Sequence, residues 1–125
     1  MNTLELNRNE IKDLLQERMK RVPLKNNKRF IAEVTFLIGR LHQIDGKLDE
    51  AVKSFGKCNS ILIENGLPEN YELYYWMGRI EEHKMNISKS MDIYNMILSS
   101  EINKDNEINQ HTQNRVLQIL QNKFS

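Results

Sequence analysis

Chemistry in this chain would have to come from three histidines, one cysteine, and glutamates and arginines set at helical spacing. His42, His83 and His111 are too scattered to form a metal site. Cys58 has no base at a recognisable spacing, so a core thiol is expected rather than a nucleophile. The sequence holds no glycine-rich phosphate loop, no H-E-x-x-H and no C-x-x-C. No catalytic residue, metal or cofactor is expected, and the chain is not expected to be an enzyme.

Two stripes carry more. Glu33, Phe36, Arg40 and Gln43 form one, and Glu72, Tyr75, Arg79 and Glu82 form the other. Spacings of 3, 4 and 3 put each set on one face of a helix. Aromatic and arginine side chains are the types enriched at binding hot spots, which suits a protein or peptide ligand. The same residues can also satisfy one another, with Phe36 stacked on Arg40 and Arg40 paired with Glu72 or Glu82. The sequence leaves both readings open.

A further cluster is basic: Arg18, Lys20, Arg21, Lys25, Lys28 and Arg29, with no acidic residue among them. Phosphate contact and a solvated helix end compete for it, and the helix end is favoured because cations suit a helix C-terminus. Glu64, Glu69, Glu72, Glu81 and Glu82 form an acidic counterpart, so salt-sensitive head-to-tail contact is a third reading. The net charge of +1 gives no global attraction to nucleic acid or membrane.

The elements that must position these residues read as helices throughout, and an all-α fold is expected. Leu4, Ile11, Leu14, Leu15, Met19 and Val22 make one apolar stripe, predicting a helix over 4–21. Asn7 and Glu10 form a capping-box pair that could move its start toward Asn9, and Val22-Pro23 stops it. Further helices are expected over 27–43, 48–64, 69–83, 87–98 and 106–122. Gly46 and Asn65-Gly66 end two of them, and Pro68 opens another. Asp45 and Asp49 stand beside a turn and suit capping of the next helix. Trp76 and Tyr74 suit core filling.

A 39-residue shift superimposes two stretches of the chain. Thr35-Phe36-Leu37-Ile38-Gly39-Arg40-Leu41 falls on Tyr74-Tyr75-Trp76-Met77-Gly78-Arg79-Ile80. Ala51 then meets Ser90, Phe55 meets Tyr94 and Cys58 meets Ile97. A period of this length points to stacked repeats, whose surfaces usually bind rather than catalyse. These positions, with the stretch Gly46-Lys47-Leu48-Asp49-Glu50-Ala51-Val52-Lys53-Ser54-Phe55, resemble two tetratricopeptide repeats over residues 32–98.

The match has departures. About five residues around Glu64–Pro68 lengthen the usual period, and Met85 replaces the turn glycine, with Asn86 beside it better suited to positive φ. His42 and Glu81 stand where the family prefers an aromatic. The resemblance implies antiparallel helix pairs in a short solenoid. In such a fold Gly39 and Gly78 allow close helix approach, and Phe55 and Tyr94 fill space between successive pairs. The two stripes would line a concave groove. The Asn and Lys pattern of the family's chaperone-tail clamps is missing.

The organisation expected is a single domain: an N-terminal helix (1–26), two repeats (27–65 and 66–100) and a C-terminal capping helix (101–125). The function implied is an adaptor or small chaperone holding a protein or peptide segment in the groove. A peptide-sensing regulator and a structural oligomerisation module are the alternatives, and a homodimer stays open. No nucleic-acid or membrane partner is expected. The single cysteine and the lack of an apolar signal or spanning run suit a cytoplasmic protein.

Overall fold

The structure is a computed structural model that describes residues 2–20 and 27–124. Among the described residues six helices follow one another: α1 (Arg8–Lys20), α2 (Lys28–Ile44), α3 (Leu48–Glu64), α4 (Tyr71–His83), α5 (Ile87–Ser99) and α6 (Asn106–Phe124). Among the described residues there is no strand. The chain groups into two compact units, Met1–Asn70 and Tyr71–Ser125. In the first, α1 packs on α2 and α2 pairs with α3; in the second, α4 pairs with α5 and α6 packs on both.

Local chemistry explains most of the helix ends. The Glu10 amide donates to Asn7 Oδ1 at 2.9 Å and the Asn7 amide donates to Glu10 Oε1 at 3.1 Å. This reciprocal capping box starts α1 at Arg8 rather than at Leu4, which is buried in the turn before it. Asn27 caps α2 by accepting from the Phe30 amide. Asp105 Oδ1 accepts from the amides of Glu107 and Ile108, so α6 begins at Asn106. The expected stop at Val22-Pro23 lies outside the described residues.

Three helices end in one and the same turn. After α2, the Gly46 amide donates to Gln43 O and the Lys47 amide to His42 O; after α3, Gly66 and Leu67 repeat this to Ile63 O and Leu62 O. After α4 the donors are Met85 and Asn86, to Glu82 O and Glu81 O. These are Schellman caps, which need a left-handed residue to turn the chain back on its last carbonyls. Gly46 (φ 78°) and Gly66 (φ 61°) supply it, and in the third turn Met85 does (φ 65°). Asn86, the residue expected to take positive φ, has φ −86°. Its side chain donates to Glu81 Oε2 at 2.8 Å instead.

Within each unit the helix pair closes on a glycine. A Cβ placed on Gly39 would lie 2.6 Å from Phe55 Cε1, and one on Gly78 would lie 2.4 Å from Tyr94 Cε1. No real Cβ sits so near a ring carbon, so the bare backbone is what admits the aromatic. Phe55 and Tyr94 are thus set inside their own hairpins, where both are wholly buried. The neighbouring aromatic repeats too. Phe36 meets Phe55 with centroids 5.7 Å apart at 35°, and Tyr75 meets Tyr94 at 6.2 Å and 36°. Ala51, Ser90, Cys58 and Ile97 are buried as small or apolar positions of the same pattern.

Candidate functional site

Helices α2 and α4 carry the two stripes, and in each unit the flanking helix lies on the stripe-bearing helix. In the first unit Phe36 and Arg40 are buried, 5% and 3% exposed, while Glu33 and Gln43 are half-buried. Arg40 Nε donates to Thr3 Oγ1 at 3.2 Å and its Nη1 donates to Gln43 Oε1 at 2.8 Å. Arg18, in the last turn of α1, donates to Glu33 Oε1 at 2.7 Å. The segment ahead of α1 and the end of α1 therefore reach both ends of this stripe.

The second unit builds the same station from the other end of the chain. Glu72 and Tyr75 are buried, and Arg79 and Glu82 are half-buried. Trp76 Nε1 donates to Glu72 Oε2 at 2.8 Å. Arg79 faces Glu82 at 3.9 Å, the i,i+3 relation that Arg40 has with Gln43. From α6, His111 sets its ring edge-on to Tyr75 at 6.1 Å, and Arg115 forks both nitrogens onto the Glu82 carboxylate. His111 and Arg115 are four residues apart, so one face of α6 delivers both.

Electrostatics concentrates at Glu82. Burial alone would raise its carboxyl; hydrogen bonds from Arg115 and Tyr94, with the charges of Arg115 and Arg79, outweigh that and hold it below its ordinary range. Tyr94 is pushed far up, first by burial and then by donating to Glu82 at 2.9 Å, so it stays a hydroxyl. In the first unit Phe55 replaces Tyr94 and Gln43 replaces Glu82, which removes the charge from the equivalent place.

The remaining residues singled out by sequence find mostly structural surroundings. Cys58 is buried and its thiol is pushed up to about 11 by burial, unsuited to nucleophilic work. Trp76 and Tyr74 are half-buried rather than core. Asp45 does not stand at the N-cap of α3, which is Lys47; it pairs with Arg8 at 2.8 Å, and that hydrogen bond holds its carboxyl below its ordinary range. Of the basic cluster, Arg18 and Lys20 sit in the last turn of α1, and Lys28 and Arg29 lie exposed in the first turn of α2. Arg21 and Lys25 lie outside the described residues.

Thr3, Arg18, His111 and Arg115 are the stripe contacts from the flanking segments that sequence reasoning did not pair with the stripes. The four-residue spacing of His111 and Arg115 was the available signal, and nothing comparable marks Thr3. Compared with family models, curated proteins and solved structures, the chain matches none. No described helix is long and apolar enough to cross a membrane.

Proposed function

We propose that the protein is a tetratricopeptide-like binding module, an adaptor or small chaperone for a segment of another protein. The supporting observation is the duplicated station: two hairpins closed by glycine and aromatic, each presenting the same Arg and Gln or Glu pair on its first helix. In each unit the chain's own flanking segment already makes the contacts that a ligand would make, through Thr3 on Arg40 and Arg115 on Glu82. Phe36, Arg40, Glu72 and Tyr75 are buried. The members that remain for a partner are Glu33, Gln43, Arg79 and Glu82, all half-buried. Hydrogen-bonding groups bracketed by packed aromatics suit a segment of mixed polar and apolar character.

The test is affinity capture from the native host with mass spectrometry, followed by variants against the captured protein. The Gln43→Ala, Arg79→Ala double variant should weaken binding by about 2 kcal/mol, the scale of a hot spot. Substituting the exposed Lys53 and Lys57 by Ala should leave it unchanged. Equal affinity for all variants would place the working surface elsewhere. Self-assembly is a second reading, favoured by Leu117 and Leu120, which α6 exposes by 56% and 39% one turn apart. Light scattering across a concentration series separates the two.

A further inference from the structure

Two of the three Schellman turns place glycine directly after a side-chain carbonyl, Asp45-Gly46 and Asn65-Gly66. Such pairs are reactive because the glycine amide nitrogen has no side chain shielding its approach to the preceding Cγ. The structure treats the two pairs differently. Arg8 holds the Asp45 carboxylate through Nε–Oδ1 at 2.8 Å and Nη2–Oδ2 at 3.4 Å. An ionised, ion-paired carboxylate resists attack, since its oxygen would have to leave as oxide. Asn65 carries an amide, whose nitrogen can leave as ammonia.

The surroundings of Asn65 permit the reaction. Asn65 and Gly66 are both exposed, and a Cβ at Gly66 would meet nothing within 4 Å, so the glycine faces open space. The Gly66 amide is held by one backbone bond, to Ile63 O at 3.2 Å, the long end of the ordinary range. Asn65 stands at φ −107°, ψ 10°, and turning its ψ toward ring closure gives up the two capping bonds of the turn, Gly66 N to Ile63 O and Leu67 N to Leu62 O, while the bonds inside α3 stay in place.

We propose that Asn65-Gly66 is a self-modification site at which the chain cyclises and deamidates with water as the only co-reactant. The Gly66 nitrogen loses its proton to solvent and bonds to Asn65 Cγ. The Cγ–Nδ2 bond breaks, and the amide departs as ammonia after taking a proton from water. The five-membered succinimide then adds water at either carbonyl and opens to aspartate or isoaspartate. No oxidant or reductant takes part. The product loses the Asn65 Nδ2 donation to Ile61 O at 2.8 Å. It also sets a negative charge at the C-terminus of α3, where the helix dipole disfavours one. Both effects loosen the turn that keeps Leu62 buried.

Folded protein held at neutral pH and body temperature, digested with trypsin over a time course, tests this. The fragment from Cys58 to Arg79 carries Asn59, Asn65 and Asn70 together, so one spectrum ranks them. A mass gain of one dalton should accumulate at Asn65 ahead of the other two, with isoaspartate detected there by methyltransferase labelling. Asn65→Gln should abolish both signals while the circular dichroism stays helical. Arg8→Ala should raise isoaspartate at Asp45 above its wild-type level, because the ion pair no longer protects that site. The proposal is overturned if the folded chain stays unmodified at Asn65 while urea-unfolded chain reacts, or if the three asparagines react alike. It is also overturned if neither form reacts.

Discussion

A single methyl group added at residue 39 would sit 2.6 Å from a ring carbon of Phe55, a side chain with no exposed surface into which to retreat. Gly39→Ala should therefore destabilise by about 1–3 kcal/mol, the usual cost of overpacking a core. Adding Phe55→Leu to that variant should recover part of the loss, since the smaller side chain vacates the space. Thermal melts of the two variants check both statements, and a Gly39→Ala protein as stable as wild type would disprove the contact. The repeat alignment identified both glycines and both aromatics, because side-chain size at fixed spacing is written in the sequence. It did not show that each ring faces its own glycine, since that depends on how far the helices roll about each other.

The two arginines show the same limit. Arg40 is 3% exposed and bonded to Thr3 and Gln43, while Arg79 is half-buried beside Glu82. Alignment makes them equivalent; burial does not. Arg40→Ala should cost about 1–3 kcal/mol by removing a buried side chain and its donations to Thr3 and Gln43. Arg79→Ala should cost no more than about 1 kcal/mol, as for a partly exposed ion pair. Urea titration of both variants gives the comparison, and equal losses would contradict it.

Among the elements, α3 has its expected bounds, Leu48–Glu64, and the other described helix ends fall within a few residues of expectation. Capping chemistry is local, so asparagine, aspartate and glycine mark these ends in the sequence. The turn after α4 is the instructive exception. Residue preference nominates Asn86 for the left-handed position, yet the bond from the Met85 amide to Glu82 O fixes that position one residue earlier. Helix register outranks side-chain preference there, and Met85 bears a strain that glycine would not. Met85→Gly should stabilise the protein by up to about 1 kcal/mol, the left-handed penalty removed less the added chain entropy. A lowered melting temperature would show that the penalty is absent.

At the scale of the whole molecule, each compact unit has its own polar centre, and the second sets a carboxylate, Glu82, where the first has the neutral Gln43. Glu82 contributes stability that is fully present above its ordinary pKa of 4.5 and is lost as pH falls through its lowered value in the fold. Acid unfolding followed by the fluorescence of Trp76, which lies in the second unit, should show this loss. Glu82→Gln should flatten that acid limb, and an unchanged limb would remove Glu82 from the account. Sequence reasoning located the stripes but not their covering, because no periodicity connects Thr3 to Arg40 across 37 residues.

If the proposed binding role holds, the covering changes what a partner must achieve. A segment tethered to the surface it occupies behaves as a ligand at millimolar effective concentration, set by the length of its tether. Thr3 and its neighbours stand in that relation to Arg40, as α6 does to Glu82. In the binding role proposed above, an incoming protein would compete with the chain itself, and its apparent affinity would fall by the fraction of time the station is closed. Any influence that peels back one flank would strengthen binding at that unit without touching a residue of the interface.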